Sequence, residues 1–131
     1  PIVSIVIGEG ASGGALAIGI CDRLLCMENT WFSVISPEGC ASILFKDPTQ
    51  SQKAADAMRV TSQDLLEMGI ADLLIKEPLG GANNNYKAAA EYLKSAFLTA
   101  ITKLNGTDAD TLIDNRITKY DKMGRWVGNN E

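Results

Sequence analysis

The 131-residue sequence predicts an α/β layer with a helical tail. Three observations lead there. Residues 2–7 (IVSIVI) are β-branched and apolar on both faces, the composition of a buried strand in a parallel sheet. A glycine-rich turn at 8–14 runs straight into an apolar segment, as at a strand-to-helix junction. Beyond residue 83 the apolar residues recur at helical spacing and no strand pattern returns.

Each element follows from its residues. Residues 15–20 form a short, wholly apolar helix, which should be buried all round. Asp22 and Arg23 mark a turn before a second strand at 24–27, and a third strand at 32–35 runs into Ser36-Pro37-Glu38-Gly39. Pro37 lacks an amide donor and Gly39 tolerates positive φ, so this stretch is expected to be a loop at a strand end. An amphipathic helix covers 50–58. Thr61 opens T-S-Q-D, a capping arrangement with Asp64 three residues on, and Gly69 stops that helix. A short strand at 72–75 precedes the turn Pro78-Leu79-Gly80-Gly81, whose glycines serve the turn. Asn83, Asn84 and Asn85 offer N-caps for a long helix over 86–104, where Ala89, Leu93, Ala96, Phe97 and Ala100 share a face. A last helix runs from about Ala109, capped by Thr107, to Met123. The unpatterned stretch from Gly124 onward is expected to fray.

Composition restricts the chemistry. Hydrophobic residues make up 46% and charged residues 21%, ordinary values for a globular domain, and the net charge is −4. That weak acidity argues against a nucleic-acid partner, which would call for a basic patch. The chain has no histidine, which removes Ser-His-Asp and Cys-His catalysis and histidine-ligated metals from anything it does unaided. Cys21, Cys26 and Cys40 show no C-x-x-C spacing and sit among apolar residues, so they are expected to be reduced, buried thiols of a cytoplasmic protein. No run approaches the roughly 18 apolar residues of a membrane span. The abrupt start, Pro1 leading straight into a strand, suggests a piece of something longer.

The loop G-E-G-A-S-G-G matches three motifs. Gly8, Gly10 and Gly13 satisfy G-x-G-x-x-G, with Glu28 roughly 20 residues on, as in a Rossmann-type dinucleotide-binding module. Gly10, Ser12 and Gly14 satisfy the G-x-S-x-G nucleophile elbow, which needs a histidine base the chain lacks. The third possibility is an oxyanion hole. Glycines at a helix N-terminus leave amides unpaired, the dipole favours negative charge there, and missing Cβ atoms admit a ligand oxygen. One such donor is worth about 3 kcal/mol. Against all three stands tight helix-to-strand packing, which Gly13 and Gly14 would also permit.

Longer segments carry a resemblance. S-G-G-A-L-A-I-G at 12–19 with Asp22, F-S-V-I-S-P-E-G at 32–39, and R-V-T-S-Q-D-L-L-E-M-G-I-A-D-L-L-I at 59–75 together resemble the crotonase (enoyl-CoA hydratase) superfamily. Within it, I-G-E-G-x-S-G-G-A-L-A-I-G, S-V-I-S-P-E-G-C-A-S-I-L, I-K-E-P-L-G-G-A at 75–82 and N-R-I-x-K-Y at 115–120 resemble the carboxyltransferase α-subunit family of bacterial multisubunit acetyl-CoA carboxylases. The resemblance extends to about Met123. Ala11 stands where that family usually has glycine, and Cys21 where glycine often precedes the aspartate.

The resemblance implies a partial crotonase-like (ClpP/crotonase) spiral ββα fold, with residues 1–82 as the C-terminal part of a carboxyltransferase core and 83–131 as a helical extension. The chain would be roughly the C-terminal two-fifths of such a subunit, inactive in isolation. The implied reaction moves a carboxyl group from carboxybiotin, on a biotin carboxyl carrier protein, to acetyl-CoA, giving malonyl-CoA for fatty-acid synthesis. Implied partners are a carboxyltransferase β subunit in an α2β2 assembly, the carrier and biotin carboxylase, with neither nucleic acid nor membrane. The zinc ribbon belongs to the β subunit, so no metal is expected here.

Gly13 and Gly14 are then the backbone oxyanion donors, on the biotin side, stabilising the ureido enolate. Ser12, Glu9 and Glu38 are the candidate substrate-contacting side chains. Ser12 adds a hydroxyl or shapes the turn, Glu9 binds amides or lines the pocket, and Glu38 is favoured as a positioning group over an acid/base. Arg116, Lys119 and Lys122 form a basic face on the last helix, either solvated or a subunit or carrier contact. The dinucleotide module and a non-catalytic crotonase-fold scaffold remain the competing possibilities.

Overall fold

A computed structural model describes residues 1–124. The fraying expected beyond Gly124 falls on residues outside that range. The chain runs β1 (Val3–Val6), β2 (Glu9–Ala11), α1 (Ser12–Gly19), β3 (Arg23–Met27), β4 (Trp31–Ser33), α2 (Pro37–Phe45), α3 (Ser51–Met58), α4 (Ser62–Glu67), β5 (Leu73–Ile75), α5 (Tyr86–Leu104) and α6 (Ala109–Asp121), with a 3-10 turn at Pro48–Gln50. It is an α/β structure, as the composition and element order predict.

Two small parallel sheets organise it. In one, β3 lies between β1 and β5; in the other, β2 pairs with β4. Parallel neighbours need crossovers, which α1 supplies between β1 and β3, and α2 to α4 supply between β3 and β5. The side chains of β3 alternate between two cores, as period-two geometry requires. Leu24 and Cys26 pack with Val6, Ala15, Phe32 and Leu65 on one face. Leu25 and Met27 pack with Ile75, Ala89 and Ala100 on the other, where α5 lies. The long helix over 86–104 is as expected, capped by Asn85, whose side chain accepts from the Ala88 amide. Thr61 caps α4 through the Asp64 amide, and Gly69 at φ +73 ends it.

Several expectations need correction. The helix after the glycine loop starts at Ser12, and its outer face is open: Leu16, Ile18 and Ile20 are 60%, 50% and 53% exposed. Only Ala15 of that helix is buried, because α1 meets the sheet along one narrow edge. Residues 9–11, read as turn, form the strand β2. Pro37 to Phe45, begun as a loop, is a helix. Ser36 accepts from the Gly39 amide at 3.1 Å, and Pro37 occupies the first turn, where a missing donor costs nothing. Gly39 is therefore helical and makes no positive-φ turn. The cap of α6 is Asp108, which accepts from the Thr111 amide, one residue beyond Thr107. Strand β1 lies at a sheet edge and is only half-buried. Cys21 and Cys26 are buried and free, while Cys40 is half-buried. Burial, with Cys21 beside it, pushes the Cys26 thiol up to about 11, so it stays protonated and unreactive.

The basic face of α6 is neither solvated nor vacant. Arg116 grips Asp22 with both ends of its fork, at 2.9 and 3.0 Å. Lys119 reaches Asp72 at 2.6 Å, and Arg23 meets the same carboxylate at 3.0 Å. Both acids also accept backbone amides, Asp22 from Ile2 and Asp72 from Leu24. Lys122 alone of the three basic residues is left exposed. Burial pushes the Asp22 carboxyl up, but Arg116 and the Ile2 amide outweigh it and hold it below the ordinary range. Asp72 is lowered likewise, with burial opposed by Lys119, the Leu24 amide and Arg23.

Asp22 is only 8% exposed. Arg116→Ala leaves this carboxylate buried without its cation, and is expected to cost about 3–5 kcal/mol in urea unfolding. Because the folded carboxyls titrate below their unfolded values, their contribution is complete above about pH 4 and is lost as pH falls further. A melting temperature that drops below pH 4, and drops less in Asp22→Asn, checks this. At Gly10 a Cβ would come within 2.5 Å of the Phe32 ring. Gly10→Ala is therefore expected to destabilise by about 1–3 kcal/mol by overpacking, read in the same unfolding experiment.

Candidate active site

The glycine loop resolves into parts with separate tasks. Gly10 sits in β2 and yields its side-chain volume to Phe32. Gly13 and Gly14 lie in the first turn of α1, and a Cβ on either would meet nothing within 4 Å. Tight helix-to-strand packing therefore does not explain them. The first amides of a helix have no intrahelical acceptor, and here no side chain caps them: Ala11 holds the N-cap position in extended backbone, φ −140 and ψ 159. The positive end of the helix dipole thus carries unshielded donors beside open space. Ser12 joins strand to helix at φ +60, a left-handed conformation uncommon outside glycine. Such a residue costs of order 1–3 kcal/mol and persists where its surroundings hold it. Here the pairing of Ala11 with Ser33 on one side and α1 on the other fix it.

The second sheet brings two segments to one edge. Because β2 and β4 are parallel and end in register at Ala11 and Ser33, α1 starts beside the segment that leads into α2. Ligands of open parallel sheets bind at such carboxyl ends. Glu9 is exposed on β2, and Glu38 is exposed in the first turn of α2, where a carboxylate favours the helix dipole. Ser12 is exposed as well.

Other expected roles come apart. Glu28, the would-be ribose acid, accepts from the Glu77 amide at 3.2 Å, and Glu77 in turn accepts from Asn29 and Ala82. This knot ties the ends of β3 and β5. With Gly10 inside a paired strand, no continuous phosphate turn joins β1 to a helix. Tyr120, given no separate role by the sequence, has a hydroxyl that accepts from the Cys21 amide at 2.9 Å, donates to the Gly19 carbonyl and lies 3.0 Å from the Cys21 carbonyl. Burial pushes that hydroxyl's pKa up, so it remains a donor. The spacing of Arg116, Lys119 and Tyr120 on one helix face was the available signal, given two aspartates each preceding an apolar strand.

A cavity of about 750 Å³ lies behind α1, lined by Leu16, Ile20, Val34, Met68, Ile70 and Met123 among others, and does not include Gly13, Gly14, Glu9 or Glu38. Among the described residues no three His, Cys, Asp or Glu side chains come together to hold a metal ion. No helix there is long and apolar enough to cross a membrane.

Comparison with known proteins shows the family. Residues 1–124 match the model of a family described as acetyl co-enzyme A carboxylase carboxyltransferase-like. Three similar relatives bear the name acetyl-coenzyme A carboxylase carboxyl transferase subunit alpha. The protein of Chlorobaculum parvum is 48% identical over 96% of this chain and 38% of its own length. That of Azotobacter vinelandii is 50% identical over 95% of this chain and 40% of its own. That of Clostridium perfringens strain ATCC 13124 is 48% identical over 92% and 44%. The chain thus spans about two-fifths of the length of these relatives. With the match running from Pro1 through the end of α6, this chain belongs to the acetyl co-enzyme A carboxylase carboxyltransferase-like family.

Proposed function

We propose that this chain carries the biotin-side oxyanion hole of a carboxyltransferase that moves a carboxyl group from carboxybiotin, borne by a carrier protein, to acetyl-CoA, forming malonyl-CoA for fatty-acid synthesis. The observation that carries this reading is the first turn of α1: no side chain caps it, and nothing lies within 4 Å of where a Cβ on Gly13 or Gly14 would stand. A planar ureido oxygen needs just such an approach, and a side chain at either position would obstruct it.

Carboxybiotin supplies the activated carboxyl group. With the carrier's biotin bound, the Gly13 and Gly14 amides would be the donors offered to the ureido oxygen as it gains negative charge. The helix dipole adds to them, and the left-handed Ser12 aims the turn. This work needs no side-chain acid or base, which suits a chain without histidine. Ser12 and Glu38 follow the carboxyl ends of the β2–β4 pair and Glu9 stands at the amino end of β2; all three are read as groups that shape the pocket. The acetyl-CoA side, the β subunit, the carrier and biotin carboxylase belong to the rest of the assembly on this reading, as does any metal.

The two parallel sheets with helical crossovers support a partial crotonase-type spiral, with residues 1–82 as core and 83–131 as an extension whose α6 is tied to that core. The bare outer face of α1 supports cover from other parts of a longer chain or from a partner subunit.

In the full-length subunit, assayed for malonyl-CoA decarboxylation with free biotin, Gly14→Val is expected to lower turnover about a hundredfold or more while the complex still assembles. Unchanged turnover would overturn the oxyanion assignment.

A further inference from the structure

We propose that Tyr120 is a positioning residue for the Gly13–Gly14 amides, acting through α1 from its far end. The inference rests on the oxyanion reading above and extends it to a residue about one hundred positions away in sequence.

Helix α1 is poorly held by packing. Of its eight residues only Ala15 is buried, and the outer apolar face is bare. Its C-terminus also lacks the usual glycine cap: Gly19 is followed by Ile20 at φ −77 and ψ 79, so no left-handed residue closes the last turn. The Cys21 amide donates to the Gly19 carbonyl at 2.9 Å, and the Tyr120 hydroxyl fastens that closing turn to α6. It bonds the Gly19 carbonyl, which is the helix's last, accepts from the Cys21 amide at 2.9 Å, and lies 3.0 Å from the Cys21 carbonyl. Further side-chain ties along α1 are the Cys21 thiol, which donates to the Gly19 carbonyl at 3.4 Å, and the Ser4 hydroxyl, which donates to the Ile18 carbonyl at 2.8 Å. An eight-residue helix is a rod about 12 Å long, so a shift at Gly19 is carried to Gly13. Donor placement within a fraction of an ångström governs such catalysis.

Tyr120 is itself held from the other side. Arg116 and Lys119, on the same face of α6, are locked to Asp22 and Asp72. The phenol therefore has a fixed base from which to hold α1, and its ring can be kept while the hydroxyl alone is removed.

The test uses Tyr120→Phe in the full-length subunit within its carboxylase complex. Expected are a fall of about tenfold in kcat at unchanged KM, smaller than deletion of a donor, and faster amide exchange over residues 13–19 with α6 still protected. Leu112→Ala loosens α6 through its buried apolar contact while leaving the hydroxyl in place, and is expected to raise exchange in α6 with kcat of the folded enzyme unchanged. Wild-type kcat in Tyr120→Phe overturns the proposal. So does a loss of protection across 109–121 in that variant, or an equal kcat loss in Leu112→Ala, either of which reduces Tyr120 to a structural tie. Gly14→Val separates the two levels. If it lowers turnover while Tyr120→Phe does not, only the positioning role falls; if it leaves turnover unchanged, the oxyanion reading falls and takes this one with it.

Discussion

Asp22 and Asp72 stand one residue before β3 and β5, and each carboxylate bonds in two directions. Inward, each accepts an amide from the neighbouring strand, so β1 is pinned to β3 and β3 to β5 at their amino ends. Outward, each binds a cation of α6. Sheet edge and C-terminal helix are thus one ionic joint. The cost of desolvating two carboxylates is met by charge-assisted bonds on every side, which is why they remain ionised although partly or wholly buried. Helix α1 spans from the glycine turn to this joint, since its last carbonyl meets Tyr120. The site at one end of α1 and the clamp at the other are mechanically continuous.

Much of this was legible in the residues, for local reasons. The strand β3 and the helix α5 follow from apolar periodicity, and the start of α4 from Thr61 and Asp64, because each depends on neighbours in sequence. Helix α2 was missed because Pro37 and Gly39 are turn residues in most settings. Here Ser36 ahead of them makes the same string a helix start. Strand β2 was missed because three residues containing a glycine carry no periodicity; only pairing with β4 makes them a strand. The ionic joint was missed for a further reason. It links residues separated by 47 and 94 positions, and a charged helix face reads as solvated until its partners are in place.

The glycines show how one composition covers different physics. Gly10 is required by Phe32, whose ring occupies the place of its side chain. Gly13 and Gly14 are required by nothing in the described structure, which turns attention to what lies outside it. A glycine whose absent side chain would meet another residue serves the fold. One whose absent side chain would meet empty space serves either flexibility or a ligand, and a helix start is not a place that needs flexibility.

The span between Gly19 and Tyr120 also sets an order of events during synthesis. Chains emerge from the ribosome amino end first, and the glycine turn, α1 and β3 are complete long before α6 appears. Until then Asp22 and Asp72 lack their helical cations and the last turn of α1 lacks the hydroxyl that fastens it to α6. The glycine corner is therefore made well before α6 can secure it. A nascent chain halted before Arg116 would display Gly13 and Gly14 on a helix not yet secured, together with the bare apolar face that invites chaperones or premature partners.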